Sequence, residues 1–142
     1  MEHGLISWIQ IPSKNLARAA KFYEDVFNAS FFFEELNGIP HAIFKANTSG
    51  KKLLNGAIIE VEPNQKIGSG CVLFLDATGN FETIMRQIEE NGGKVTTRKT
   101  LITNKSNDNT FVIPNTYIDN KPGYYAHFVD SEGNKMGLYG TN

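Results

Sequence analysis

The sequence has one cysteine, no block of basic residues and no long apolar run, and each shortage excludes a class of protein. With Cys71 alone the chain can form no internal disulfide bond, which is typical of a reducing compartment. A formal net charge of −1 without clustered lysine and arginine disfavours nucleic acid and anionic membrane surfaces as partners. No apolar run approaches the roughly 20 residues of a membrane span, and no secretion signal is readable. We therefore expect a cytoplasmic protein with no nucleic-acid or membrane partner.

Two common catalytic patterns are also missing. No order of nucleophile, histidine and carboxylate is readable, and Gly68-Ser69-Gly70 lacks the following helix that a phosphate-binding loop requires. Cys71 stands in an apolar run, which predicts a buried and unreactive thiol. These observations exclude hydrolases of the triad type and nucleotide-binding loops.

An internal repeat sets the architecture, because two segments about 64 residues apart follow the same pattern of elements. Residues 7–11 form a strand pattern, followed by a polar loop, the amphipathic segment Leu16–Phe27 and a phenylalanine-rich run. Residues 71–75 form the second strand pattern, followed by a polar loop, the amphipathic segment Phe81–Glu90 and the strand pattern 94–97. The repeat predicts two modules that each begin strand, helix, strand.

The helix ends carry clear local signals. Apolar residues recur at helical spacing on one face of each segment, and charged residues occupy the other face, so each helix should cover a sheet. The expected boundary residues are Asn15 or Ser13 and Asn28 for the first helix, and Asn80 and Gly92-Gly93 for the second.

Further strands complete each module. The first module has β-rich runs at 31–34, 42–45 and 56–61, and the second closes with a hairpin, 124–129 and 135–139, around the turn 130–134. The polar segment from Thr103 to Thr110 is predicted to be a mobile surface loop, with a lid over a site as the alternative. The predicted fold class is α+β, one domain over residues 1–142 built from two βαβββ modules, about 1–64 and about 68–142.

Both ends of the chain resemble one known superfamily. Residues 11–27 read Ile-Pro-Ser-Lys-Asn-Leu-Ala-Arg-Ala-Ala-Lys-Phe-Tyr-Glu-Asp-Val-Phe, which resembles the opening of vicinal oxygen chelate proteins. That superfamily includes glyoxalase I, extradiol dioxygenases and bleomycin resistance proteins. Residues 123–139, an aromatic strand leading into Asp-Ser-Glu-Gly-Asn and back, resemble its final hairpin. The resemblance implies mixed sheets that curl around a central cavity, and often a homodimer.

Metal-dependent members of that superfamily bind a divalent ion through the first and last strands of each module. Matched to this chain, the positions fall on Ile6 (or its neighbour Ser7), Glu60, Gly70 (or its neighbour Cys71) and Gly137. Because isoleucine and glycine side chains cannot bind a metal, the resemblance implies that the usual site is absent, and we expect no cofactor. An unusual set of His41, Glu60 and His127 has acceptable ligand chemistry and is the alternative.

Strand alternation, combined with that alignment, assigns side chains to the cavity. Trp8 and Gln10 share one face of the first strand, and Ile58 and Glu60 are expected to point inward from the last strand of the first module. Glu60 is also the candidate general base, as a carboxylate among apolar side chains. The predicted ligand-binding residues are Trp8, Gln10, Glu60, Phe74, His127 and Tyr139.

Three functional hypotheses follow from different classes. The preferred one is a protein that binds a small apolar or aromatic molecule in a sheet-lined cavity without a metal. The second is a glyoxalase-like lyase, isomerase or dioxygenase that uses a divergent metal site or Glu60 as a base. The third is an accessory or interaction domain whose cavity is filled. The sequence leaves open whether the protein is an enzyme and which ligand it takes.

Overall fold

The chain forms two compact units, Met1–Ile67 and Gly68–Asn142. The structure is a computed structural model that describes residues 8–45, 55–68, 70–106, 109–112 and 120–142. Within these residues each unit has a four-stranded mixed sheet and one α-helix, which confirms the α+β fold of two repeated modules. Across the same residues, no helix is long and apolar enough to cross a membrane.

The first unit begins and ends with neighbouring parallel strands. Its elements are β1 (Trp8–Ser13), α1 (Leu16–Phe27), β2 (Phe31–Leu36), β3 (Ile39–Phe44) and β4 (Asn55–Glu60). The strand order is β1-β4-β3-β2, in which β1 and β4 are parallel and the other pairs antiparallel. A parallel pair needs a long crossover, which α1, β2 and β3 provide.

Helix α1 has the boundaries that the sequence predicts. The Asn15 side chain accepts a hydrogen bond from the Arg18 N–H at 3.0 Å, so Asn15 rather than Ser13 is the N-cap. Asn28 ends the helix in the left-handed conformation, with φ 56°. One face of α1 packs its buried residues against the sheet. Burial of each large apolar side chain contributes roughly 1.5–3 kcal/mol.

The second unit repeats this arrangement and has an additional pair of strands. Its elements are β5 (Leu73–Asp76), α2 (Phe81–Glu90), β6 (Lys94–Leu101), β7 (Thr103–Ser106), β8 (Asn109–Val112), β9 (Tyr124–Val129) and β10 (Lys135–Gly140). The order of its main sheet is β5-β10-β9-β6, with β5 and β10 parallel. The two sheets therefore have the same strand order relative to their helices.

Most of the segment from Thr103 to Thr110 belongs to two paired strands, whereas the sequence predicts a loop. Strands β7 and β8 pair antiparallel, from Thr103 opposite Val112 to Ser106 opposite Asn109. The composition suggested a loop because it is polar throughout, but threonine favours extended backbone and a two-stranded ribbon can form without an apolar stripe.

The start of helix α2 differs in detail from the prediction. Asn80 occupies the N-cap position, but its side chain makes no capping hydrogen bond. The preceding turn is held by Asp76, whose Oδ1 accepts hydrogen bonds from the N–H and the hydroxyl of Thr78. At the other end Gly92 takes φ 92° and the helix stops there, as predicted.

Cys71 is exposed, and the prediction of a buried thiol is wrong. The apolar run suggested a strand from residue 71, but β5 begins only at Leu73. Cys71 therefore precedes the sheet and lies outside the core.

Candidate functional site

Each sheet has one face covered by its helix and an opposite face, which we call the distal face. In β1, Ile11 is 4% exposed under α1, whereas Trp8 is 43% exposed on the distal face. Paired residues on adjacent strands share a face, so Ala57, opposite Gln10, also belongs to the distal face. The predicted common face of Trp8 and Gln10 is observed, and their contact with a ligand stays a prediction.

Ile58 and Glu60 do not share that face, so their expected inward orientation is wrong. The register pairs Ile58 with Ile11 on the helix side and Glu60 with Ser13, which is fully buried. The Glu60 Oε1 accepts a hydrogen bond from the N–H of Leu16, the first residue of α1, at 3.4 Å. A carboxylate at a helix N-terminus stabilises the helix dipole. The catalytic role of Glu60 stays a prediction, whereas its contact with α1 is structural.

The strand registers, combined with the repeat, correct the assignment of equivalent residues in the two units. Gln10 and Phe74 are 64 residues apart and hold equivalent positions in β1 and β5. Gln10 lies opposite Ala57, and Phe74 lies opposite Gly137. The counterpart of Gly137 is therefore Ala57 rather than Glu60, and neither has a side chain that can bind a metal.

His41 lies on the opposite face of the sheet from Glu60. His41 pairs with Ile59, the neighbour of Glu60, and adjacent strand residues point to opposite faces. The Nδ1–H of His41 donates to the carbonyl oxygen of Ile39 at 2.8 Å. The geometry of the first unit therefore does not support the alternative metal set. Among the described residues, no group of three His, Cys, Asp or Glu side chains is placed to hold a metal ion.

The distal face of the second unit carries a row of rings formed by Phe74, His127 and Tyr125, which we call the aromatic row. The ring centroids of Phe74 and His127 are 5.6 Å apart, and those of Tyr125 and His127 are 5.4 Å apart. Gly137 lies opposite both Phe74 and His127, and Tyr139 lies opposite Tyr125. Phe74, Gly137 and Tyr139 therefore share the distal face, and His127 joins them. The contact of Phe74, Tyr139 and His127 with a ligand stays a prediction.

Gly137 provides the space for the Phe74 ring. A Cβ atom at position 137 would lie 2.3 Å from Cδ2 and 2.4 Å from Cε2 of Phe74, closer than real Cβ contacts. The resemblance matches Gly137 to a metal ligand, and here a phenyl ring takes the place of that side chain. The described residues at the matched positions do not fit the metal site of the family. The first matched position, Ile6 or its neighbour Ser7, lies outside the described residues.

A cavity of about 430 Å³ adjoins the aromatic row on the distal face. It is lined by Gly68, Thr96, Thr97, His127, Val129, Gly133 and Lys135. His127 belongs to both features, and its Nδ1 lies 3.4 Å from Thr97 Oγ1. The volume suits part of a small organic molecule.

Sequence reasoning finds only His127 among the polar residues that line this cavity. The strand β6 pairs irregularly with β9, with register shifts between Val95 and Thr97 and again between Thr97 and Thr100. Simple alternation therefore assigns the wrong faces along β6, and no local signal marks Thr96 or Thr97. The sequence also does not distinguish Lys135 from any other exposed lysine at the start of a strand.

The comparison with known families agrees with this architecture. Residues 5–135 match the model of the Glyoxalase/Bleomycin resistance protein/Dioxygenase superfamily. The chain belongs to this superfamily. It is also 31% identical, over 94 residues, to a glyoxylase-like domain-containing protein of Didymella fabae, an alignment that covers 65% of this chain and 71% of the relative. The resemblance seen in the sequence is confirmed.

Solved structures of superfamily members share the fold at low identity. A glyoxalase/bleomycin resistance protein from Albidiferax ferrireducens has a TM-score of 0.57 at 14% identity, over 96% of this chain and 99% of that chain. A glyoxalase I variant from Zea mays has a TM-score of 0.61 at 16% identity, over 94% of this chain and 45% of that chain. The fosfomycin resistance protein FosX from Listeria monocytogenes, in a complex with Mn(II) and sulfate, has a TM-score of 0.60 at 14% identity, over 100% of this chain and 95% of that chain. At these identities the similarity shows the fold alone.

Proposed function

We propose that this superfamily member binds a small apolar or aromatic molecule on the distal face of its second unit, without a metal ion. The observation that supports the proposal most directly is the Phe74 ring lying over Gly137. At Gly137, the position that the resemblance matches to a metal ligand, the protein therefore presents an aromatic surface instead of a metal-binding side chain.

The aromatic row is suited to a planar or apolar partner. Phe74 is 48% exposed, so its ring has free surface that a ligand can cover. Aromatic pairs in offset or edge-to-face contact gain about 0.5–1.5 kcal/mol beyond the burial of their area. The cavity beside His127 gives such a molecule space next to the rings.

The alternative of a Glu60 base receives less support. Its carboxylate contacts the start of α1, and the register places it away from the distal face. We propose a binding protein in preference to a Glu60-dependent enzyme, and a cytoplasmic location in which the exposed thiol of Cys71 stays reduced.

The first test is native mass spectrometry with metal analysis on protein purified without a chelator. We expect an organic molecule in the spectrum of the purified protein and no stoichiometric zinc, nickel or iron. A one-to-one metal content that disappears in Glu60→Ala would contradict the proposal and favour the enzyme hypothesis.

The second test compares two exposed phenylalanines. Calorimetric titration with phenylacetamide, a neutral aromatic probe, should show about tenfold weaker binding to Phe74→Ala, because the ring contact is lost. Phe33→Ala is the matched control, since Phe33 is 57% exposed and lies on β2 of the first unit. An equal loss in both variants would show that the aromatic row is not the binding surface.

A further inference from the structure

We infer that the ligand carries an anionic group, bound in the cavity beside the aromatic row by Lys135 and the hydroxyls of Thr96 and Thr97. This inference rests on the proposed function, since it assigns a charge to the molecule that the aromatic row binds. The class of ligand is an organic anion with an apolar or aromatic body.

The residues that line the cavity carry positive charge and hydrogen-bond donors. Among the described lining residues, Lys135 is the cation, His127 contributes an imidazole, the two threonines contribute hydroxyls, and no carboxylate is present. Three other cations of the second unit have partners: Arg86 pairs with Glu90, Arg98 pairs with Glu89, and Lys99 lies over the rings of Phe81 and Tyr124.

Lys135 differs from those three cations. In the described part of the chain it takes part in no ion pair and lies over no aromatic ring. Its ammonium is thus free to bind an anion, and hydrogen bonds between charged partners are roughly twice as strong as neutral ones.

A β-bulge brings the two threonines to the same cavity. Val95 pairs with Phe128 on the helix side of the sheet, and Thr97 pairs with His127 on the distal face. The two-residue advance from Val95 to Thr97 along β6 therefore matches a one-residue advance from Phe128 to His127 along β9. Thr96 is the extra residue of the bulge. In a regular strand, neighbouring threonines would point to opposite faces. Bulges re-aim side chains in this way and are frequent beside functional sites.

The positions of these groups define the orientation of the ligand. Lys135 lies opposite Val129, two residues beyond His127 on β9, whereas Phe74 and Tyr125 lie near His127 at the other side. The anionic group of the ligand should point towards Lys135, and its apolar body should lie on the aromatic row. His127 contacts both parts.

The test uses three probes that separate charge from aromatic character: phenylacetate, the neutral phenylacetamide of the same shape, and acetate without a ring. Calorimetric titration of the full chain should show that phenylacetate binds about tenfold more tightly than phenylacetamide, because a charged hydrogen bond is added. Acetate should bind more weakly than either. The preference for the anion should disappear in Lys135→Ala and persist in Lys135→Arg.

Lys94→Ala is the matched control. Lys94 lies opposite the same Val129 from the other neighbouring strand, it changes the net charge equally, and it does not line the cavity. The preference for phenylacetate should change by less than about twofold in this variant, because Lys94 does not line the cavity and solvent and salt screen a charge that makes no direct contact with the ligand.

The possible results separate the inference from the proposed function. If phenylacetate and phenylacetamide bind wild-type protein equally, the anionic group is wrong and aromatic binding stands. If Lys94→Ala removes the preference as fully as Lys135→Ala, the binding of the anion by Lys135 in the cavity is wrong and aromatic binding stands. If neither probe with a ring binds, or if acetate binds as tightly as phenylacetate, the proposed function is wrong as well.

Discussion

At the scale of single residues, the missing side chain of Gly137 allows the distal face of the second unit to expose the Phe74 ring. Without a side chain at this position, the Phe74 ring can lie over the strand and contact His127. Any larger residue would meet the ring, so the glycine and the phenylalanine act as a pair. A pair of this kind can be tested by a double-mutant cycle.

Gly137→Ala should destabilise the protein only while the Phe74 ring is present. The added Cβ overlaps the ring, and such overpacking costs about 1–3 kcal/mol. In the Phe74→Ala background the same change should cost less than about 0.5 kcal/mol, because nothing occupies the space. Urea unfolding of the four proteins measures both values, and equal costs in the two backgrounds would contradict the observed packing.

Glu60→Ala should change stability rather than ligand affinity. The carboxylate contacts the N-terminus of α1, so its loss should lower the free energy of unfolding by roughly 0.5 kcal/mol. The neutral Glu60→Gln should retain the acceptor and lose only the charge contribution. The Gln10→Ala variant, which alters the distal face of the first unit, serves as the comparison in the measurements of stability and ligand affinity. A Glu60→Ala protein with normal stability and weakened ligand binding would restore the predicted role in the cavity.

At the scale of elements, the helices are predictable and the irregular strands are not. Both helices have the predicted boundaries because amphipathic spacing and terminal residues are local signals. The face presented by β6 depends on bulges, which arise from pairing with β9. Most of the polar run from Thr103 to Thr110 lies in the paired strands β7 and β8 for a similar reason, since their pairing satisfies the backbone hydrogen-bonding groups of both strands.

The two N-cap asparagines should differ in their contribution to stability. Asn15 caps α1 through its side chain, and Asn15→Ala should cost about 1 kcal/mol. Asn80 makes no such hydrogen bond at α2, and Asn80→Ala should cost less than half as much. Thermal unfolding of both variants measures the difference. Equal losses would mean that the caps act through backbone conformation instead of the side chain.

At the scale of the whole molecule, the oligomeric state stays a prediction. Strand β2 is an edge of the first unit's sheet within the described residues, and the β2–β3 hairpin exposes Phe32, Phe33, Leu36 and Ile39. Exposed edges and apolar side chains favour association between copies. The resemblance to the superfamily independently predicts a homodimer.

Sedimentation at micromolar concentration should show a homodimer. Burial of the exposed apolar residues supplies the driving force for association, so the dimer should persist at high salt. A single species with the mass of the monomer, unchanged across a tenfold range of concentration, would contradict this prediction.

The sequence by itself determined the two-module repeat, both helices, the shared face of Trp8 and Gln10, and the superfamily. These features depend on spacing within one segment or on a repeated pattern, which the order of residues records directly. Only the tertiary structure decided that Glu60 faces α1 and that Thr96 and Thr97 reach one cavity. The physical reason is register: a shift of one residue in strand pairing moves a side chain to the other face, and that pairing is set by distant parts of the chain.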